Sequence, residues 1–193
     1  MKKLFTLFLL AILPLIANAQ VKRTVNVETA GTLSTLISDG EKYTIDELVI
    51  TGELNGTDLK LVREMVGCDY LGQQTQGKVT KLDLSGIRIV AGGEKYLDTK
   101  EISNSRGERT TNSNGFVFSS GNDVLGSYLF AGCDKLEEIK LPNSIKTIGD
   151  NVFHFGYGLT SLTIPKNVTS IGHAVIFYCQ NLVSLSVEAI PSK

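Results

Sequence analysis

Apolar and polar residues alternate in short segments that recur along the chain at a fixed distance. Residues 136–158 and 159–181 align position by position at a shift of 23, and a third copy opens at residues 182–187. Positions 1, 4 and 6 of each copy are apolar and polar residues lie between them, which predicts a short strand with one face inward. Because one copy cannot bury its own apolar edge, stacked neighbours must supply the core.

The same pattern extends upstream with less regularity. The 23-residue register continues back to about residue 113, where Phe116 and Phe118 take the strand positions, and strand-like segments recur at residues 79–84 and 45–50. Alternation over residues 21–27 predicts an edge strand beneath the first unit. Thr32 and Thr57 precede apolar residues at helical spacing and are N-cap candidates. A helix near residues 58–66 would then connect two parallel strands.

The repeat motif resembles a known family. The pattern LxxIxLPxxxxxIGxxxFxxCxxL, which runs from Leu136 to Leu159, is similar to the leucine-rich repeat of BspA-type bacterial surface proteins. Gly156, Ile176 and Glu188 depart from its cysteine, phenylalanine and proline positions. The resemblance implies an α/β fold, a right-handed solenoid with one parallel strand per repeat, displayed outside the cell and used for protein contacts.

Three segments are expected along the chain. Residues 1–19 read as a cleaved signal peptide, because Lys2 and Lys3 precede an apolar run and Ala17-Asn18-Ala19 forms the cleavage site. The alternative, a membrane anchor, needs roughly 20 apolar residues, more than this run offers. Residues 20–112 form an irregular N-terminal portion, and residues 113–193 form the regular repeats, of which the last is incomplete.

Composition and charge narrow the class of partner. The chain has 193 residues, 19 Lys and Arg against 20 Asp and Glu, and no run of five like charges. Neither a nucleic-acid footprint nor an anionic-membrane patch is indicated. The expected location is the cell surface or the extracellular medium, with the periplasm as a further possibility.

No catalytic chemistry is indicated. His154 and His173 have no histidine or cysteine at metal-ligand spacing, and no phosphate-binding motif occurs. Ser127, Asp150 and His173 occupy one repeat position in successive units. Stacking would place the acid in the middle, whereas a hydrolase triad needs the histidine there. We therefore expect no enzyme activity, no cofactor and no metal.

The remaining candidate is a binding surface made of the outward strand residues. These are Lys81, Asp83, Glu138, Lys140, Ser161, Thr163, Ser184 and Ser186. Their partner would be a protein, for instance on a host or neighbouring cell. The competing interpretation is a solvated face of a structural spacer, since the face lacks the aromatic and arginine residues typical of binding hot spots.

The polar insertion at residues 91–115 has two interpretations. It is either a solvated loop or a contact loop, and in the second case Tyr96, Arg106 and Arg109 would anchor a partner.

Three further expectations concern individual positions. Cys133 and Cys179 should be buried, unpaired thiols, since stacking would place them about 9.6 Å apart, and Cys68 should be the only cysteine able to react. Ile148 and Ile171 should both be buried anchors. The strand at residues 182–187 should be an open edge, because the chain stops after EAIPSK. This edge should either permit weak self-association or be covered in a longer natural context.

Overall fold

A six-stranded, all-parallel sheet forms one wall of the structure. The computed structural model describes residues 19–103, 109–111 and 115–188. The strands of this sheet are, in spatial order, β1 (Lys22–Val27), β2 (Glu47–Leu54), β3 (Lys81–Ile89), β9 (Glu138–Lys140), β11 (Ser161–Ile164) and β13 (Ser184–Val187). Residues 21–27 were expected to form an edge strand, and β1 confirms it.

Smaller elements complete the fold. A second parallel sheet contains β8 (Val124–Leu125), β10 (Thr147–Ile148) and β12 (Ser170–Ile171). Two antiparallel pairs join β4 (Leu97–Asp98) to β7 (Val117–Phe118) and β5 (Glu101–Ser103) to β6 (Arg109–Thr111). The helices are α1 (Leu33–Leu36) and α2 (Gly56–Met65). Parallel strands therefore dominate the described residues, as the repeat pattern predicts.

The 23-residue period is the spacing between stacked neighbours. Leu162 pairs with Ile139 in the first sheet, and Ile171 pairs with Ile148 in the second. Inside, Phe130 and Phe153 are both buried and stack with ring centroids 5.8 Å apart. Each unit is thus a rung whose apolar side chains cover those of its neighbour, and burial of this kind stabilises the fold by about 25 cal/mol per Å² of apolar surface.

The glycine of each Ile-Gly pair is required by close approach of the rungs. A Cβ at Gly149 would overlap Ser127, and a Cβ at Gly172 would overlap Asp150. Atoms of the preceding rung pack where a side chain would begin, so only glycine fits at this position.

One predicted register is wrong. Phe116 and Phe118 do not take a place in the main sheet: β7 pairs with β4, and β3 is the strand beside β9. Lys81 of β3 lies opposite Glu138 of β9, so β3 is the first strand of the preceding rung. The second strand of that rung is β8, which pairs with β10. The insertion therefore lies within a rung, between its strand and its first turn.

The predicted crossover from β2 to β3 contains α2, but its cap is not Thr57. The N-cap is Asn55, whose side-chain oxygen accepts a hydrogen bond from the Thr57 N–H at 2.9 Å. Asp58 at the third helical position accepts from the Asn55 N–H at 3.0 Å, which completes a capping box. Thr32 does precede α1, yet its hydroxyl donates to the Thr29 carbonyl and caps nothing.

The predicted signal peptide falls almost entirely outside the described residues, which begin at residue 19. Among the helices that the structure does describe, none combines the length and the apolar character needed to cross a bilayer.

Candidate functional site

The outward side of the main sheet forms a shallow groove, which we call the strand face. The groove has a volume of about 590 Å³ and runs over strands β1, β2, β3, β9 and β11. Six of the eight predicted binding residues line it: Lys81, Asp83, Glu138, Lys140, Ser161 and Thr163. Their role in binding stays a prediction, but the structure brings these six together on one surface.

Ser184 and Ser186 do not line the groove. They lie one strand further along, in β13, opposite Ser161 and Thr163 respectively. The Thr163 and Ser186 hydroxyls are 3.0 Å apart and hydrogen-bond each other. The hydroxyl side chains therefore continue from the groove to the edge of the sheet.

Charges on the strand face are paired across strands. Lys140 Nζ lies 2.8 Å from Asp83 Oδ2, and Glu47 lies within 3.8 Å of both Lys22 and Lys81. Burial would raise the pKa of Asp83, but hydrogen bonds from Lys140 and Ser85 outweigh it and hold that pKa below its ordinary value. The strand face thus has two halves. Strands β1, β2, β3 and β9 carry the balanced charges, and strands β11 and β13 carry the hydroxyl side chains.

The insertion does not present Tyr96 to a partner. Tyr96 is 1% exposed, and its hydroxyl donates a hydrogen bond to the Ser127 carbonyl at 2.8 Å. Burial raises its pKa above the ordinary value. Leu97 and Asp98 are buried beside it, so this part of the insertion belongs to the core rather than to a solvated or a contact loop. Arg106 and the side chain of Arg109 lie outside the described residues.

The column of Ser127, Asp150 and His173 joins one rung to the next. The Asp150 N–H donates to Ser127 Oγ at 3.0 Å, and the His173 N–H donates to Asp150 Oδ1 at 2.7 Å. The Ser127 and Asp150 side chains are each engaged by the backbone of the following rung rather than by the next side chain. The polar-turn interpretation agrees with these contacts, and no group of three or more metal-ligating residues occurs among the described residues.

Sequence reasoning missed an exposed row of aromatic rings, which we call the aromatic ridge. It comprises Tyr128, His154, Phe155, Tyr157, Phe177 and Tyr178. The Phe155 and Tyr178 rings stack at 5.1 Å and are 40% and 50% exposed. Both residues have a positive φ, at the position that Gly132 occupies one rung earlier. An aromatic residue at this repeat position in two successive rungs was the available signal.

The last described rung is open on its outer side. Leu185 and Val187 of β13 are 55% and 68% exposed, and they border an apolar groove of about 460 Å³. Ile171 is 55% exposed, whereas Ile148 is fully buried, so the expectation that both are buried is wrong for Ile171. Cys179 is likewise only half-buried, while Cys133 is buried as expected. Both corrections have one cause: no described rung covers this one.

The stacked parallel strands are those of a repeat protein. Comparison of the sequence with known families finds one matching repeat family. Residues 100–191 match the BspA type leucine rich repeat region, in 6 copies. The match agrees with the resemblance of the motif from Leu136 to Leu159 to BspA-type leucine-rich repeats. No curated protein matches the chain.

Proposed function

We propose that this chain is an exported, non-catalytic repeat module that binds a protein partner at a bacterial cell surface. In this proposal the rungs form a right-handed solenoid, residues 20–112 form its irregular N-terminal portion, and residues 113–193 form its regular repeats. Repeat proteins of this kind use extended, regular surfaces for binding. The strand face is the corresponding surface of this chain, and it is the single observation that supports the proposal most.

The properties of the strand face indicate what the partner must offer. Because most of the charges on β1, β2, β3 and β9 are already paired, a strongly charged partner would gain little there. Exposed groups such as Ser161, Thr163 and Lys140 favour hydrogen bonding to a polar protein surface. This chemistry fits a transient protein contact, in which polar rims and bridging water are usual.

Export is tested by the mass of the chain recovered from outside the cell. Cleavage after Ala19 predicts a mature chain that begins at Gln20, with the two lysines of residues 1–19 removed. We expect intact-mass measurement of the exported chain to give residues 20–193. A chain that stays with the cells at full length would contradict export and favour the membrane-anchor interpretation.

Binding is tested by placing bulk and charge on the strand face. Proteins captured from the natural surroundings by the mature chain are identified, and their affinity is measured for the wild type and for a Ser161→Arg, Thr163→Arg double variant. We expect the variant to weaken binding at least tenfold, about 1.4 kcal/mol, because two arginines would fill the groove.

The matched control places the same two charges elsewhere. Thr147→Arg and Ser170→Arg add them to β10 and β12, which do not line the strand face. This control should bind like the wild type. Equal weakening by both double variants, or none by the strand-face variant, would contradict the strand face as the binding surface. No captured protein at all would favour the spacer alternative.

Weak self-association is proposed for the open outer rung. Contiguous exposed apolar side chains and an unpaired strand edge promote contact between copies, and β13 offers both among the described residues. We expect sedimentation velocity of the wild type to show a concentration-dependent rise, and a Leu185→Glu, Val187→Glu variant to remain monomeric. A wild type that stays monomeric to high concentration would contradict this proposal.

A further inference from the structure

Two cysteines that are distant in sequence lie side by side in the core. Cys68 follows α2 and Cys133 lies in the turns that follow β8, and each is 1% exposed. The Cys68 thiol donates a hydrogen bond to the Gly132 carbonyl oxygen at 3.1 Å. Since that carbonyl is bonded to Cys133, standard backbone dimensions place Cys68 Sγ within about 6 Å of the Cys133 Cα. Each thiol also shifts the pKa of the other, as expected for neighbouring groups in the core.

A buried positive charge accompanies this pair. The Arg63 side chain is fully buried and donates to the backbone carbonyls of Asp69, Tyr128 and Leu129. Carbonyl oxygens satisfy its hydrogen bonds but carry no opposing unit charge, so its field acts on the neighbouring thiols. A positive charge of this kind favours a thiolate.

The two thiols are not equivalent. The interaction with Cys133 lowers the pKa of Cys68, and the charge of Arg63 assists it, while burial and the charges of Asp134 and Asp69 oppose it. Burial raises the pKa of Cys133, and its interaction with Cys68 raises it further. Cys68 is therefore the better nucleophile, and Cys133 is suited to react second.

The geometry points to a disulfide-forming site: we propose that Cys68 and Cys133 are joined by exchange with an oxidised small-molecule or protein disulfide. The Cys68 thiolate attacks one sulfur of that disulfide and releases the other as a thiol. The Cys133 thiolate then attacks Cys68 Sγ and releases the second thiol. The two cysteines lose two protons and two electrons, and the disulfide that Cys68 attacked is reduced to two thiols.

An exposed side chain, that of Gln74, lies against the pair. The Gln74 amide donates to the Gly132 carbonyl at 3.1 Å and lies 3.8 Å from Cys68 Sγ. Cys68 is therefore in contact with a residue that reaches the surface. The disulfide would link the segment after α2 covalently to the turn after β8, and so would cross-link the N-terminal portion to the repeats. Export, as proposed above, would expose the chain to disulfides of this kind.

The experiment treats the reduced, folded chain with oxidised glutathione. After unfolding and alkylation, peptide mapping should find Cys68 joined to Cys133, with Cys179 alkylated. The oxidised chain should also unfold at a higher denaturant midpoint than the reduced chain, because a closed loop restricts the unfolded state. Cys68 and Cys133 both alkylated after long incubation, or either one joined to Cys179, would overturn the proposal.

Single variants test the order of the two steps. Cys133→Ser should stop the exchange at a stable glutathione adduct on Cys68, whereas Cys68→Ser should leave Cys133 unmodified. Cys179→Ser is the matched control and should still form the bond. An adduct that accumulates on Cys133 instead would contradict the assignment of Cys68 as nucleophile. If either serine variant fails to fold, the peptide map of the wild type decides the outcome.

Discussion

Ile148→Ala is expected to lower the free energy of unfolding by about 2 to 5 kcal/mol, and Ile171→Ala by about 1 kcal/mol or less. The two residues occupy the same repeat position one rung apart and pair with each other in the second sheet. Ile148 is fully buried, so its truncation leaves a cavity between rungs that cannot collapse. Ile171 is 55% exposed, so its truncation removes contacts from one side only.

Denaturant titration of both variants against the wild type measures this difference. Since the substitution is identical and the local motif is Ile-Gly in both cases, neither intrinsic propensity nor side-chain size can account for unequal losses. Equal losses would contradict the open outer rung. Two losses well below 1 kcal/mol would contradict the stacked core itself.

Asp58→Ala is expected to lower the free energy of unfolding by about 3 to 5 kcal/mol, because it leaves three buried or half-buried backbone N–H groups without their acceptor. Asp58 is 1% exposed and its carboxylate accepts hydrogen bonds from the backbone N–H groups of Gly31, Leu33 and Asn55. It therefore caps α2 and also binds the segment that opens α1.

Two further variants isolate the carboxylate as the cause. Asp58→Asn keeps one acceptor oxygen and should lose less than Asp58→Ala. Asp39→Ala removes a carboxylate that is 96% exposed and paired only at the surface with Lys42, and should change stability by less than about 0.5 kcal/mol. A loss for Asp58→Ala no larger than that for Asp39→Ala would show that the capping box contributes little to folding.

Local patterns predict the rungs well because rung-to-rung contacts repeat the sequence period. Leu159 and Leu162 are buried where the alternation places them, and the parallel register of β9 and β11 follows directly from the shift of 23. Ile171 occupies the same motif position as Ile148 but is exposed. Burial at this position requires a neighbouring rung that covers the side chain, and the sequence of the residue's own segment does not determine it. The same reasoning explains why Cys179 is more exposed than Cys133.

Long-range contacts lie beyond such patterns. Tyr96 stands in a polar segment, yet its hydroxyl reaches the carbonyl of Ser127, 31 residues away. Thr57 is a residue type that is common at N-caps. The helix nevertheless starts two residues earlier, where the Asn55 and Asp58 side chains accept the hydrogen bonds of the capping box. Of the candidate site, alternation predicts which strand residues share the outer face. It does not show how their charges pair or that an aromatic ridge lies elsewhere on the rungs.

The most direct test of the strand face is lysine footprinting of the unmodified chain with and without a captured partner. Lys140 is 73% exposed and Lys81 is 40% exposed on the face, and Lys146 is an exposed control that lies outside it. The account predicts that the partner slows acetylation of Lys81 and Lys140 and leaves Lys146 unchanged. Unchanged acetylation of Lys81 and Lys140 in a saturated complex would contradict it and would move the contact to another surface, such as the aromatic ridge.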